Sequence, residues 1–297
     1  MLRLAVPKGS LEEGTFKLFQ QADLPIKRAG GDRSYSLKIE DPRIDEVFML
    51  RPQEIPPYIN EGEFDLGVTG LDWVVETGSA VQPVADLAFS RQGWKTVKIV
   101  LATDVSNPVD NPEDIPLDSR VITEYPRITR RFLRGLGKAK VSIRGSFGAT
   151  ESKVPRLAEY LVDVTETGET LRKNNKKILA VLLESSTKLI ANQQSWANPE
   201  KRRAIEEVAS LLTGVLLARD KVLIKMVIQR SRLQGLLENI PSIRPPAISQ
   251  LFSLDQQNDL VMVETVVEKA VLSRVLPLAK AMGATDILEV DISKMMP

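Results

Sequence analysis

Leu2, Leu4 and Val6 open the chain in an apolar run that predicts a buried strand over Leu2–Val6. Ser10-Leu11-Glu12-Glu13 follows with a hydroxyl and a Glu three residues apart, the spacing of a capping box, and predicts a helix to about Ala22. The strand–loop–helix pattern recurs. Val47–Leu50 precedes a helix from Pro52, Leu66–Val68 a helix near Leu71, and Arg120–Thr123 a helix through Ile128–Leu136. Such alternation predicts α/β layers around a largely parallel sheet.

The run from Thr96 to Thr103 opens a second set of strands after the irregular stretch Ser90-Arg91-Gln92-Gly93, so the chain is expected to cross between domains near residue 90. Asn107-Pro108 to Pro116 reads as surface loop. A further strand over Ile178–Leu183 is expected to return to the first domain. Asn198-Pro199-Glu200 then starts a helix with proline at its first position, and Ile205, Val208, Leu212 and Val215 keep helical spacing toward Arg219.

The last stretch reads as strand Val222–Ile228, helix Leu233–Asn239, strands Ala247–Phe252 and Leu260–Val267, helix Glu268–Met282 and strand Ile287–Val290. That βαββαβ order is the ferredoxin-like unit. The expected division is therefore one α/β lobe from residues 1–90 with 178–218, a second from 91–177, and an α+β domain over 219–297.

Composition narrows the chemistry. A chain of 297 residues exceeds the roughly 250 that one core usually organises, in line with several domains. Lys+Arg 40 against Asp+Glu 39 leaves no global field for a polyanion, so no nucleic-acid partner is expected. The N-terminus lacks the apolar core of a signal peptide and no apolar span follows, so the expectation is a cytoplasmic protein without a membrane partner. Cys 0 and His 0 exclude thiolate nucleophiles, histidine bases, Ser-His-Asp hydrolysis and zinc sites. Carboxylates, Lys, Arg, hydroxyls, backbone amides and an oxygen-bound Mg²⁺ are left to run any reaction.

One segment gathers such groups. Tyr160-Leu161-Val162-Asp163-Val164-Thr165-Glu166-Thr167-Gly168-Glu169-Thr170 is an apolar strand end, then hydroxyls around a glycine, then a helix start. Backbone N–H groups near Thr167 and Gly168, with the hydroxyls of Thr167 and Thr170, suit a phosphate, and Gly168 permits close approach. Asp163 and Glu166 then lie where ribose hydroxyls could donate to them. Taken alone, Thr-Gly-Glu-Thr is as well read as a surface turn capping a helix.

Beyond this segment, Val6-Pro7-Lys8-Gly9-Ser10-Leu11, Leu50-Arg51-Pro52-Gln53-Glu54-Ile55-Pro56, Gly62 through Gly70, Gly148-Ala149-Thr150-Glu151 and Leu183 through Asn192 stand in order along the chain. Together with Asp163–Thr170 they resemble, essentially end to end, the long form of the ATP phosphoribosyltransferases that begin histidine biosynthesis. The resemblance implies two lobes like those of type II periplasmic binding proteins and a ferredoxin-like, ACT-like regulatory domain. It implies attack by an adenine ring nitrogen of ATP on the anomeric carbon of phosphoribosyl pyrophosphate, with inversion and loss of pyrophosphate, assisted by Mg²⁺.

By the same resemblance Asp163, Val164, Thr165, Glu166, Thr167, Gly168, Glu169 and Thr170 hold the ribose 5-phosphate, with Glu166 near the sugar and Glu151 beside it. Lys8, Arg33 and Arg51 meet the triphosphate and pyrophosphate, Arg33, Arg51 and Glu166 being the catalytic candidates. Gly9, Ser10, Gly67, Thr69, Gly70 and Tyr125 would line the ATP side. The metal ligands stay unassigned. A homo-oligomer, a hexamer built from dimers, and histidine as allosteric effector are further implications.

Two stretches depart from the family pattern. Pro155 through Tyr160 is bulkier and less acidic than is usual before the phosphate loop. In the regulatory domain Val227-Ile228-Gln229 and Pro246-Ala247-Ile248-Ser249-Gln250 stand where relatives commonly carry Asn, Pro and a Thr hydroxyl. Losing one hydroxyl donor to a buried ligand costs about 1–3 kcal/mol, so histidine inhibition is expected to be present but blunted through Val227, Ala247 and Gln250. Three rivals stay open at this point: a two-lobed solute receptor, a phosphoribosyltransferase for a free base, and a non-catalytic homologue.

Overall fold

A computed structural model describes residues 1–28, 36–87, 96–251 and 259–296. Arg33, the expected crossover near residue 90 and Phe252 lie outside the described residues. The first segment runs β1 (Leu2–Pro7), α1 (Glu12–Gln21), β2 (Lys27–Arg28), β3 (Ser36–Lys38), β4 (Ile44–Leu50), α2 (Ile55–Glu61), β5 (Leu66–Gly70), α3 (Leu71–Thr77) and β6 (Gln82–Asp86). A second follows with β7 (Val97–Asp104), β8 (Arg120–Thr123), α4 (Pro126–Gly135), β9 (Ser142–Gly145), β10 (Tyr160–Thr165), α5 (Glu169–Lys173) and β11 (Lys176–Ser185). After these come β12 (Thr187–Ala191), α6 (Gln193–Ala197) and α7 (Pro199–Ala218).

Two sheets share one wiring. The first has the order β2-β3-β4-β1-β5-β12-β6, the second β9-β8-β10-β7-β11. In the first, β1 is parallel to β4 and β5, while β12 is antiparallel to β5 and β6. In the second, β8 is parallel to β9 and β10, while β7 is antiparallel to β10 and β11. Each sheet thus places its parallel strands second-first-third and then one reversed strand, the wiring expected of type II binding-protein lobes.

Strand β1 is apolar almost throughout because a sheet of this kind is covered on both faces. In the second sheet the period of two is explicit. Ile99, Leu101, Tyr160 and Val162 enter one core, while Val100, Ala102 and Leu161 enter another with Leu171.

Ile178–Leu183 does not return to the first sheet. As part of β11 it pairs with β7, Ile178 opposite Ala102 and Leu183 opposite Ile99, and the return is made one strand later by β12. The reason is local. β11 follows β7's own sheet through the short helix α5, and the direction changes only at Ser185-Ser186. The capping box also fails to form. Leu11, not Ser10, is the cap of α1 and makes no side-chain bond, while Glu12 instead accepts from the Gly9 N–H at 3.2 Å. Helix α2 starts at Ile55, after a turn over 52–54, rather than at Pro52.

The chain falls into two compact units, Met1–Ala209 and Ser210–Pro297. The division between these units falls inside α7 (Pro199–Ala218). The second unit claims the last turns of that helix because its C-terminal segment packs there, Met295 N–H donating to the Gly214 carbonyl at 2.9 Å. The remainder is β13 (Lys221–Gln229), α8 (Arg230–Asn239), β14 (Ala247–Gln250), β15 (Leu260–Glu268), α9 (Leu272–Ala281) and β16 (Thr285–Asp291). The antiparallel order β14-β15-β13-β16 is the ferredoxin-like topology. Val222, Ile224, Met226 and Ile228 of β13 alternate onto Leu236 of α8 and Val275 and Ala279 of α9. No helix among the described residues is long and apolar enough to cross a membrane.

Candidate functional site

The C-terminal ends of β1, β4 and β5 lie side by side, Pro7 opposite Leu50 and Ala5 opposite Gly67, so the loops after them share one edge of the first sheet. Between this edge and the second sheet lies a cavity of about 380 Å³. Ser10, Leu11, Pro52, Gly70, Asp72 and Trp73 line it from one side, and Tyr125, Glu151, Asp163 to Thr167 and Thr170 from the other. Ser185, Ser186 and Thr187, where the chain passes back between the sheets, close it. Leu71 N–H donates to the Ser186 carbonyl at 3.0 Å, which ties the crossing to the start of α3.

The loop after β10 is held by its own hydroxyls. Gly168 takes φ of 75°, and its N–H donates to Thr165 Oγ1 at 2.9 Å, while Glu169 N–H donates to Thr167 Oγ1 at 3.3 Å. The Gly168 amide that the sequence reading offers to a phosphate is thus already engaged. Asp163, Val164, Thr165, Glu166, Thr167 and Thr170 line the cavity, whereas Gly168 and Glu169 do not. Glu169 pairs with Lys173 along α5 at 2.8 Å.

Burial drives the Asp163 carboxyl up to about 6, and the like charges of Glu124 and Glu151 push the same way. A hydrogen bond from Val164 N–H at 2.7 Å and the Lys153 ammonium oppose the shift without cancelling it.

On the first-sheet side the expected residues divide. Lys8 and Arg51 follow the adjacent strands β1 and β4 and are exposed at the shared edge, but neither lines the cavity. Gly9 likewise lies outside the lining. Gly67 faces away from it. A Cβ there would sit 2.7 Å from Ile55 Cγ2, so its smallness lets α2 approach β5. Thr69 is fully buried and donates to the Pro52 carbonyl at 2.7 Å, a structural bond. Gly70 does line the cavity, and its missing side chain leaves room for the Asp72 carboxylate, which a Cβ would meet at 2.1 Å.

Asp72 and Ser185 are the residues that sequence reasoning missed. Asp72 is buried. Its Oδ1 accepts from Ser185 Oγ at 2.6 Å and its Oδ2 from the Tyr125 hydroxyl at 3.0 Å. Burial raises this carboxyl above its usual range although both hydroxyls pull it down, and burial with the Asp72 charge raises the Tyr125 phenol well above its own. Tyr125, expected on the ATP side, is 3% exposed and stacks on Trp73 with centroids 4.6 Å apart. An Asp in the first turn of α3 reads as an ordinary helix-start acid. Its partner is 113 residues away, and only the fold joins them.

The family model "HisG: ATP phosphoribosyltransferase" matches residues 51–214, and "HisG, C-terminal domain" matches residues 218–294. The chain is 41% identical to an ATP phosphoribosyltransferase of Desulforudis audaxviator (strain MP104C), over 100% of this chain and 99% of that protein. It is 40% identical to that of Pelotomaculum thermopropionicum, again over 100% and 99%. Among solved structures, the "ATP phosphoribosyl transferase (HisG:HisZ) complex from Thermotoga maritima" superposes with a TM-score of 0.60 at 26% identity, covering 72% of this chain and 96% of that one.

Proposed function

The chain belongs to the ATP phosphoribosyltransferase family, and from that premise we propose how its own residues divide the work. The reaction moves the 5-phosphoribosyl group of phosphoribosyl pyrophosphate to the adenine ring of ATP, giving phosphoribosyl-ATP and pyrophosphate, the first step of histidine biosynthesis. Membership sets aside the solute receptor and the free-base enzyme as readings.

The observation that carries the assignment of parts is the cavity, whose second-sheet wall is the Asp163–Thr170 loop and whose first-sheet wall is Gly70, Asp72 and Trp73. In this reading Asp163 and Glu166 accept from the ribose hydroxyls, with Glu151 behind them, and Thr165, Thr167 and Thr170 give hydroxyl donors to the 5-phosphate. ATP enters from the opposite wall, its adenine against Trp73, on which Tyr125 of the second-sheet side stacks, and its backbone contacts at Ser10 and Gly70. Lys8 and Arg51, exposed at the mouth, and Arg33 attract the triphosphate and the departing pyrophosphate.

The anomeric C–O bond to pyrophosphate breaks as a C–N bond to the adenine ring forms on the opposite face. Positive charge builds on the sugar and negative charge on the leaving group. Fixed carboxylates near the first and cations near the second stabilise that separation, so the absence of histidine is no obstacle.

The family reaction uses a divalent metal ion, and we assign Mg²⁺. Among the described residues no group of three or more carboxylates is arranged to hold an ion. That donor set suits a cation that arrives on substrate phosphates and needs one or two carboxylates, and Asp163 with Glu151 would supply them. The metal would neutralise pyrophosphate oxygens. Histidine as effector acting on the ferredoxin-like unit, a homo-oligomer and a cytoplasmic setting complete the reading. The exposed strand β14 and Val227 carry the departures that predict blunted inhibition.

The test is direct. Purified protein with ATP, phosphoribosyl pyrophosphate and Mg²⁺ should release pyrophosphate and form a new ultraviolet-absorbing adenine nucleotide only when both substrates are present. No product, even with a pyrophosphatase drawing the reaction forward, would overturn the assignment.

A further inference from the structure

Arg127, Arg130, Arg131 and Arg134 stand at i, i+3, i+4 and i+7 of α4, so the helix carries all four on one face. All are exposed, and among the described residues none makes an ion pair within 4.0 Å. Like charges at these spacings destabilise a helix, and Arg127 sits in the first turn, where the helix dipole disfavours a cation. One acid stands nearby. Glu76 accepts from the backbone N–H groups of Arg127 at 2.8 Å and Ile128 at 2.9 Å and feels the charges of Arg127 and Arg130, so it offsets part of the repulsion without forming an ion pair within 4.0 Å.

These arginines rim a groove of about 710 Å³ whose floor is Val74 and Val75 of α3. Its volume falls within the range of small-ligand sites. Gly78, whose φ of 67° closes α3, lies at the groove's edge, with the Arg127 guanidinium resting against it.

We propose that this groove is a second binding site, separate from the cavity, for a ligand that carries two or more phosphate groups. Four guanidinium forks around an apolar floor match a chain of phosphates, each fork able to take two oxygens, and they leave room for an apolar group below. The chain's net charge of only +1 makes the attraction local rather than global. The groove is joined to the cavity by the same two helices. Asp72 and Trp73 begin α3 and Tyr125 caps α4, and all three line the cavity. A ligand bridging α3 and α4 therefore acts on the wall of the active site, and the coupling must be reciprocal.

Binding of inorganic tripolyphosphate to the full chain, followed by calorimetry with phosphoribosyl pyrophosphate saturating, tests the site. Arg130→Gln with Arg134→Gln should weaken one tripolyphosphate-binding component at least about tenfold, while phosphoribosyl pyrophosphate affinity stays within about twofold. Arg127→Gln with Arg131→Gln should do the same, which guards against misfolding of either pair. Lys8→Ala with Arg51→Ala should leave that component in place. ATP and adenosine as parallel ligands separate a nucleotide from a bare phosphate chain, because only a nucleotide would gain from the apolar floor. Tripolyphosphate binding that neither arginine pair alters would overturn the proposal. So would its absence at about 0.1 M salt, or an oligonucleotide binding where tripolyphosphate does not.

Discussion

Asp163 is held in a costly state. Its folded pKa of about 6 stands above the ordinary 3.8, so the fold favours the protonated carboxyl and disfavours the charge. The contribution to stability is therefore most favourable below pH 3.8, is lost as pH rises toward 6, and is a constant penalty above that. A carboxylate that must accept from ribose hydroxyls is needed in the form the fold resists. Phosphoribosyl pyrophosphate affinity is expected to weaken as pH falls through about 6, with Asp163→Asn flattening that limb. The same variant should melt higher than the parent at pH 8. A parallel pH profile in the variant, measured by calorimetry, would locate the titration elsewhere. Tyr125→Phe tests the other buried carboxyl. Removing one of the two hydroxyls that Asp72 accepts should cost about 1–3 kcal/mol in denaturant unfolding, because the buried carboxylate loses one of its two side-chain donors.

At the scale of elements, most strands and their helices were legible because apolar runs alternate with helix-spaced stretches. β1, β5, β8 and the four strands of the C-terminal unit follow directly from that rhythm. What escaped the sequence were choices made between distant partners. The strand over 178–183 has the same apolar character whichever sheet receives it, and its pairing with β7 is a contact across about 80 residues. Ser10 and Glu13 have capping-box spacing, yet Leu11 takes the cap because Gly9 turns the chain there. The site shows the same split. The Asp163–Thr170 loop is contiguous and could be read, whereas Asp72, Tyr125 and Ser185 meet only through the fold. Gly67 belongs to this scale too. It was expected at the ligand but lies under α2, so Gly67→Ala should destabilise by about 1–3 kcal/mol through overpacking against Ile55. Activity per folded molecule should be retained, and a specific loss of kcat at full stability would return Gly67 to the site.

For the molecule as a whole, the shared wiring of the two sheets hides an asymmetry. All five strands of the second sheet come from one continuous stretch, Val97 to Ser185, but the first sheet is finished only when β12 arrives from beyond it. β12 lies between β5 and β6, so β6 has no neighbour to join until roughly 100 further residues have been made. On the ribosome the later-made lobe can close first, while β6 of the earlier one waits unpaired beside an open edge. Nascent chains halted when residue 185, but not β12, has emerged from the ribosome should therefore resist protease across 97–185 and be cut near β6, and chains halted once α7 has emerged should be protected at both. The interval between those two lengths is when this protein is most exposed to mispairing, and when a chaperone would have the most to cover.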